Sequence, residues 1–208
     1  MKEEFLQYLN ALSTPEIANL MRYCKIRLEN ATKDKGAYTE LSFERYAQIY
    51  ANMSPQCYGT RFEDFVRGML SDIAVKVDKK EGRGDFKIKQ QDRYYETKST
   101  VINSKWKINI VQVRPLQTLI GYVYIIVKPE VWVEKYSYEL FLFPKDIVNN
   151  LVLEKGGLAH GTVSSTMNNE SKEYRITLNY RKEETKNFLM PYKVSGFDEL
   201  KKKLMETE

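Results

Sequence analysis

The stretch that most constrains this chain is Gly121-Tyr-Val-Tyr-Ile-Ile-Val127, which is almost entirely apolar. A strand with one wet face alternates polar and apolar residues, and this run does not. Tyr122–Val127 therefore reads as a strand buried on both faces, at the centre of a layered structure. It is the longest apolar run, and it falls far short of the ~20 residues of a membrane-spanning helix.

The flanking sequence supplies the layers. Phe5, Leu6, Leu9 and Leu12 recur at helical spacing over Lys2–Leu12. Ser13-Thr14-Pro15-Glu16 reads as a helix start, with Thr14 as the cap and Pro15 in the first turn, and the helix runs to about Asn30. Lys33–Gly36 reads as a turn and Leu41–Ala51 as a third helix, with Glu44 a possible site carboxylate. Ser54–Gly59 reads as a break. From Thr60 onward Phe62, Phe65, Val66, Met69 and Leu70 form a helical apolar stripe. Ile73–Val77, Ile108–Val113, Tyr138–Phe143 and Glu173–Tyr180 are β-compatible, and Pro115 opposes a long helix after the second of these. Lys145–Leu153 and Gly196–Met205 have helical spacing, and Phe188–Pro191 closes a segment. The expected class is α/β (α+β), a mixed central sheet flanked by helices with a helical N-terminal segment.

Charge adds a local signal. The net charge is +5, from 33 basic and 28 acidic residues, a mild excess. Lysines and arginines crowd the interval from Lys76 to Arg114, which suits either phosphate contact or a solvated surface. Cys24 and Cys57 have no metal-knuckle spacing and read as two free thiols of a cytoplasmic protein. The N-terminus lacks the basic region and apolar stretch of a signal peptide. His160, the only histidine, lies in the Gly-, Ser- and Asn-rich stretch Gly156–Lys172 and has no companion with which to anchor a metal.

Inside the basic interval lies GDFKIKQQDRYYETKS, Gly84–Ser99. Two short β-like runs flank a polar turn at Gln90–Arg93. Side chains alternate along a strand, so Glu96 and Lys98 share a face and Thr97 points away. If the runs pair as a hairpin, Asp85 reaches Glu96 and an ammonium stands beside both. Oxygen ligands suit a hard divalent cation, and a lysine can steady an attacking water or a charged phosphate, so the trio fits metal-assisted phosphodiester hydrolysis. A charged face on an exposed hairpin edge accounts for the same spacing. Upstream, Glu63 and Arg67 are four apart on one helix, either as a surface ion pair or with Glu63 turned toward the site.

Gly84-Asp85-Phe86 and Glu96-Thr97-Lys98 together resemble the PD-(D/E)XK nuclease motif, with glycine at the position before the acid where the motif carries proline. The resemblance covers roughly Thr60–Val127. It implies Asp85 and Glu96 as metal-binding acids, Lys98 as the lysine, and Glu63 as the additional helix acid. It also implies a restriction-endonuclease-like sheet in which a helix and a strand follow the Glu96–Lys98 strand. Phe143-Pro144 and Leu158–Thr162 loosely resemble the tail of some type II restriction endonucleases.

The activity implied is Mg²⁺-dependent hydrolysis of double-stranded DNA. One or two ions would be held by Asp85, Glu96 and the Thr97 carbonyl, with Lys98 on the water. A type II restriction endonuclease acting as a homodimer is the leading expectation, since twofold symmetry suits cutting both strands of a palindrome. A repair or recombination nuclease that reads DNA structure, and a catalytically silent DNA-binding module, remain alternatives. One nuclease domain would then span 1–208: a helical part over 1–55, a catalytic core over 60–127, and a DNA-recognition and C-terminal part over 128–208. Lys105, Lys107, Gln112 and Arg114 are candidates for tracking the DNA backbone, and Ser164, Ser165, Asn168 and Asn169 for reading base edges.

Overall fold

The structure is a computed structural model that describes residues 2–31, 42–51, 53–78, 81–130, 135–159 and 172–206. The chain divides into two compact units, Met1–Glu40 and Leu41–Glu208. The first holds α1 (Lys2–Ala11) and α2 (Thr14–Ala31). The cap of α2 is Ser13, one residue before the expected Thr14. Its carbonyl accepts the Ile17 N–H at 3.0 Å, while its own N–H donates to the Glu16 carboxylate at 2.8 Å. The acid three positions on thus satisfies the cap N–H, and the Ser13 hydroxyl donates to the same carboxylate.

The second unit opens with α3 (Phe43–Tyr50) and α4 (Pro55–Met69). The expected break at Ser54–Gly59 is instead the first turn of α4. Pro55 stands at its start, where a missing N–H is harmless and the fixed φ already suits a helix. The order continues as β1 (Ala74–Lys76), β2 (Phe86–Ile88), β3 (Tyr94–Val101), β4 (Lys107–Val113), β5 (Gly121–Glu130) and β6 (Lys135–Pro144). Then come α5 (Lys145–Lys155), β7 (Gly157–Leu158), β8 (Tyr174–Asn179), α6 (Glu183–Leu189), β9 (Lys193–Val194) and α7 (Phe197–Glu206). The helix α6 and the short strands β7 and β9 have no counterpart in the sequence reading. Most of α6 is Glu, Thr, Lys and Asn, so no apolar stripe marks it.

Six strands form a mixed sheet in the order β1-β2-β3-β5-β6-β9. Only β3 and β5 run parallel, with Glu96 beside Tyr122 and Lys98 beside Tyr124. The other pairings in this sheet are antiparallel. The helix expected between β3 and β5 is absent. Residues 102–120 run through turns and β4, which leaves the main sheet and joins β8 and β7 in a second sheet of three strands. A parallel pair needs a crossover of about a dozen residues, and here an Ile-rich alternating run makes it as a strand.

Both faces of the main sheet are covered. On one, Tyr94, Tyr122, Tyr124, Ile126, Phe141 and Phe143 pack against Ile108, Ile110, Ile176 and Leu178 of the second sheet and against Val148, Leu151 and Val152 of α5. On the other, rings from α3, α4, β6 and α7 interlock, with centroids of Phe43 and Tyr138 4.4 Å apart and of Phe65 and Phe197 5.9 Å apart. Between them Tyr122–Val127 is no more than 1% exposed at any position, as a strand buried on both faces should be. Among the described residues no helix is long and apolar enough to cross a membrane. Cys24 and Cys57 form no disulfide.

Candidate active site

The hairpin forms. Phe86 pairs with Tyr95 and Lys87 with Tyr94, and the rings of Phe86 and Tyr95 stack at 5.6 Å. One step further along the ladder, Asp85 stands across from Glu96, and its N–H donates to the Tyr95 carbonyl at 2.9 Å. Gly84 is required for this approach. Its φ is +86°, and a Cβ there would lie 2.6 Å from the Tyr95 carbonyl oxygen. Only glycine fits such a position without displacing backbone.

The carboxylate of Asp85 accepts the Thr97 N–H through Oδ2 at 2.8 Å, which fixes it over β3. The Lys98 Nζ donates to Glu96 Oε1 at 2.6 Å. Their side chains are 7% and 9% exposed, so this ion pair lies inside the protein and not on an edge. Burial works against the Lys98 ammonium, but the Glu96 and Asp85 charges and the Glu96 hydrogen bond outweigh it and hold its pKa above the ordinary lysine value.

Glu63 comes from α4. Burial, joined by the Asp85 charge, pushes its pKa up to about 7, with Lys98 working in the opposite sense and Glu96 adding to the rise. The ion pair with Arg67 that its spacing allows does not form, because Arg67 closes on Asp64 instead. Glu63, Asp85, Glu96 and Lys98 thus act on one another electrostatically, as expected of a single site. Glu44 is exposed in the first turn of α3.

Among the described residues no group of three or more His, Cys, Asp or Glu side chains is close enough to hold a metal ion. The arrangement is not a protein cage. Asp85 and Glu96 each commit one oxygen to the bonds above, and none of the described hydrogen bonds uses Asp85 Oδ1 or Glu96 Oε2. Two all-oxygen donors fit Mg²⁺, which keeps several waters and takes one or two carboxylates together with substrate phosphates. Thr97 meets the site through its N–H, and its Oγ1 is buried without a partner among the described residues.

The candidate DNA contacts are scattered. Lys105 and Lys107 are exposed, with their N–H groups donating to Asn103 Oδ1 at 3.0 and 3.2 Å. Gln112 is exposed at an irregularity between Ile110 and Val113, with φ at +55°. A bulge of this kind re-aims a side chain. Arg114 is engaged: its Nε donates to Glu173 Oε1 at 3.0 Å, so it is held by protein and not left to a phosphate. His160, Ser164, Ser165, Asn168 and Asn169 lie outside the described residues. A cleft of about 280 Å³ is lined by Lys107, Thr177 and Asn179 along β4 and β8, by Lys155 of α5 and by Lys182, and no carboxylate of the Asp85–Glu96 site reaches it.

Sequence reasoning missed Tyr122. It stands beside Glu96 on the same face of the sheet, 1% exposed, and its hydroxyl has no hydrogen-bond partner among the described residues. Only the pairing of β3 with β5 reveals this, since alternation within β5 carries no polar signal. No protein-family model and no curated protein matches this chain.

Proposed function

We propose that this chain is a Mg²⁺-dependent endodeoxyribonuclease of the type II restriction kind, acting on double-stranded DNA as a homodimer. One observation carries the reading: a buried lysine–carboxylate pair, flanked by two more carboxylates, beside a core built largely of Tyr, Phe, Ile and Val. A buried ion pair is a poor way to stabilise a core, because desolvation takes back most of the attraction and apolar residues of similar volume do as well or better. Its presence together with Asp85 and Glu63 is what site chemistry requires. The PD-(D/E)XK resemblance, the paired hairpin and the adjacent parallel strand support the same reading.

Bound Mg²⁺ would supply Lewis acidity at the phosphate and lower the pKa of a water. Asp85 and Glu96 would hold it through their uncommitted oxygens. Lys98 would turn from Glu96 toward the attacking water or the charge that develops on the phosphate. Glu63, half-ionised near neutral pH, suits a group that takes a proton from water. The water oxygen bonds to phosphorus as one P–O ester bond breaks, and the departing oxygen gains a proton. Lys107 and Gln112 would lie along the duplex, while Arg114 would first have to leave Glu173.

The test is to incubate the purified protein with phage DNA and Mg²⁺ and sequence the ends. Discrete fragments with one shared terminal sequence support a restriction enzyme. Smears or junction-only cutting move the reading to a repair or recombination nuclease. No metal-dependent cleavage of any duplex tried leaves a DNA-binding module.

A further inference from the structure

The Tyr122 hydroxyl is an anomaly that packing does not explain. A buried donor without a partner destabilises a fold, and phenylalanine would fill the same space without that cost. Tyr124, two residues along the same face, shows the ordinary solution: its hydroxyl donates to the Asn109 carbonyl at 3.0 Å. Tyr122 has no such bond among the described residues. The charged groups acting on it are the Glu96 carboxylate, beside it in register, and the Arg114 guanidinium, which is held by Glu173. Burial, then the Glu96 charge, holds its pKa well above the ordinary tyrosine value, so it keeps its proton.

Glu96 has an oxygen held by Lys98. If Lys98 turns away from Glu96 as a cation binds there, before substrate arrives, Glu96 loses its only described partner while 7% exposed. The geometry points to Tyr122 as a positioning residue whose hydroxyl donates to the Glu96 carboxylate once Lys98 leaves it, keeping that carboxylate oriented toward the metal. This rests on the nuclease reading for the movement of Lys98 and extends it to a residue outside the Asp-Glu-Lys set. Residues that orient a metal-ligating carboxylate typically matter 10–100-fold in metal affinity or activity.

The experiment compares wild type, Tyr122→Phe and Tyr124→Phe in two titrations with Mg²⁺. One follows Tm without DNA, and the other follows single-turnover cleavage of a duplex. The expected result for Tyr122→Phe is a Tm without metal equal to or above wild type, and a Mg²⁺ half-saturation raised about tenfold or more in both titrations. Excess Mg²⁺ should restore its rate, and DNA affinity in Ca²⁺ should be unchanged. Tyr124→Phe should lower Tm and leave the Mg²⁺ half-saturation where it was. Equal Mg²⁺ half-saturation in Tyr122→Phe and wild type overturns the inference and leaves the nuclease reading standing. A wild type that takes up Mg²⁺ in the Tm titration and cuts no DNA overturns the nuclease reading, while the metal shift still decides whether Tyr122 holds Glu96. No Mg²⁺ effect on wild-type Tm or cleavage overturns both.

Discussion

Replacing Glu63 with glutamine tests the electrostatics of the site without any assumption about substrate. Burial and the Asp85 charge raise the Glu63 pKa from 4.5 to about 7. Between those two values the folded protein binds more protons than the unfolded chain, so stability falls as pH rises through the window. The stabilising contribution of the neutral acid is fully present below about 4.5 and lost above about 7. A shift of this size corresponds to about 3 kcal/mol across the window, at 1.36 kcal/mol per unit. Partial solvent access reduces it, so about 2–3 kcal/mol is the working expectation. Glu63→Gln keeps the shape and removes the titration. Its stability should match wild type near pH 4.5 and exceed it by that amount at pH 8 in EDTA. Urea unfolding at half-unit steps from pH 4.5 to 8 reads the difference directly. Parallel curves for the two proteins would falsify the claim that Glu63 is buried against Asp85 and Glu96.

Three further substitutions probe what holds the site in place. Lys98→Met leaves Glu96 charged and alone in the core, which should lower stability by about 3–5 kcal/mol in urea unfolding, and adding Glu96→Gln should recover most of that loss. Equal stability of Lys98→Met and wild type would mean that the pair is wet. Gly84→Ala places a Cβ against the Tyr95 carbonyl at a positive φ, and should cost at least about 1–2 kcal/mol and shift Asp85 away from the Thr97 N–H. A Tm unchanged within a degree in that variant would contradict the close approach.

What the sequence disclosed and what it hid divide along a physical line. Alternation along one strand is a local property, so the shared face of Glu96 and Lys98, and the two-sided burial of Tyr122–Val127, were legible from the residues alone. So was the hairpin, because its polar turn and flanking runs are contiguous. Pairing between distant strands is not local. Nothing in the sequence says that Tyr122 stands beside Glu96, or that Arg67 prefers Asp64 to Glu63. Between β3 and β5 the family resemblance implies a helix, whereas the residues of Ile108–Val113 have the alternation of a strand and form one. Ser54–Gly59 reads as a break but opens α4, because proline suits a helix start although it damages a helix interior. The boundary between the two units was not legible either, and α3, grouped by sequence with the N-terminal helices, belongs to the larger unit.

The most direct test of the central claim sets wild type beside Asp85→Ala on one DNA duplex, in Mg²⁺ and then in Ca²⁺. Asp85 spends one oxygen on the Thr97 N–H and, under the proposed reading, would give the other to a metal, so its loss would remove a ligand without emptying the core. The account predicts that wild type cuts the duplex in Mg²⁺, that Asp85→Ala does not, and that both bind it with similar affinity in Ca²⁺. Undiminished Mg²⁺-dependent cleavage by Asp85→Ala would contradict it.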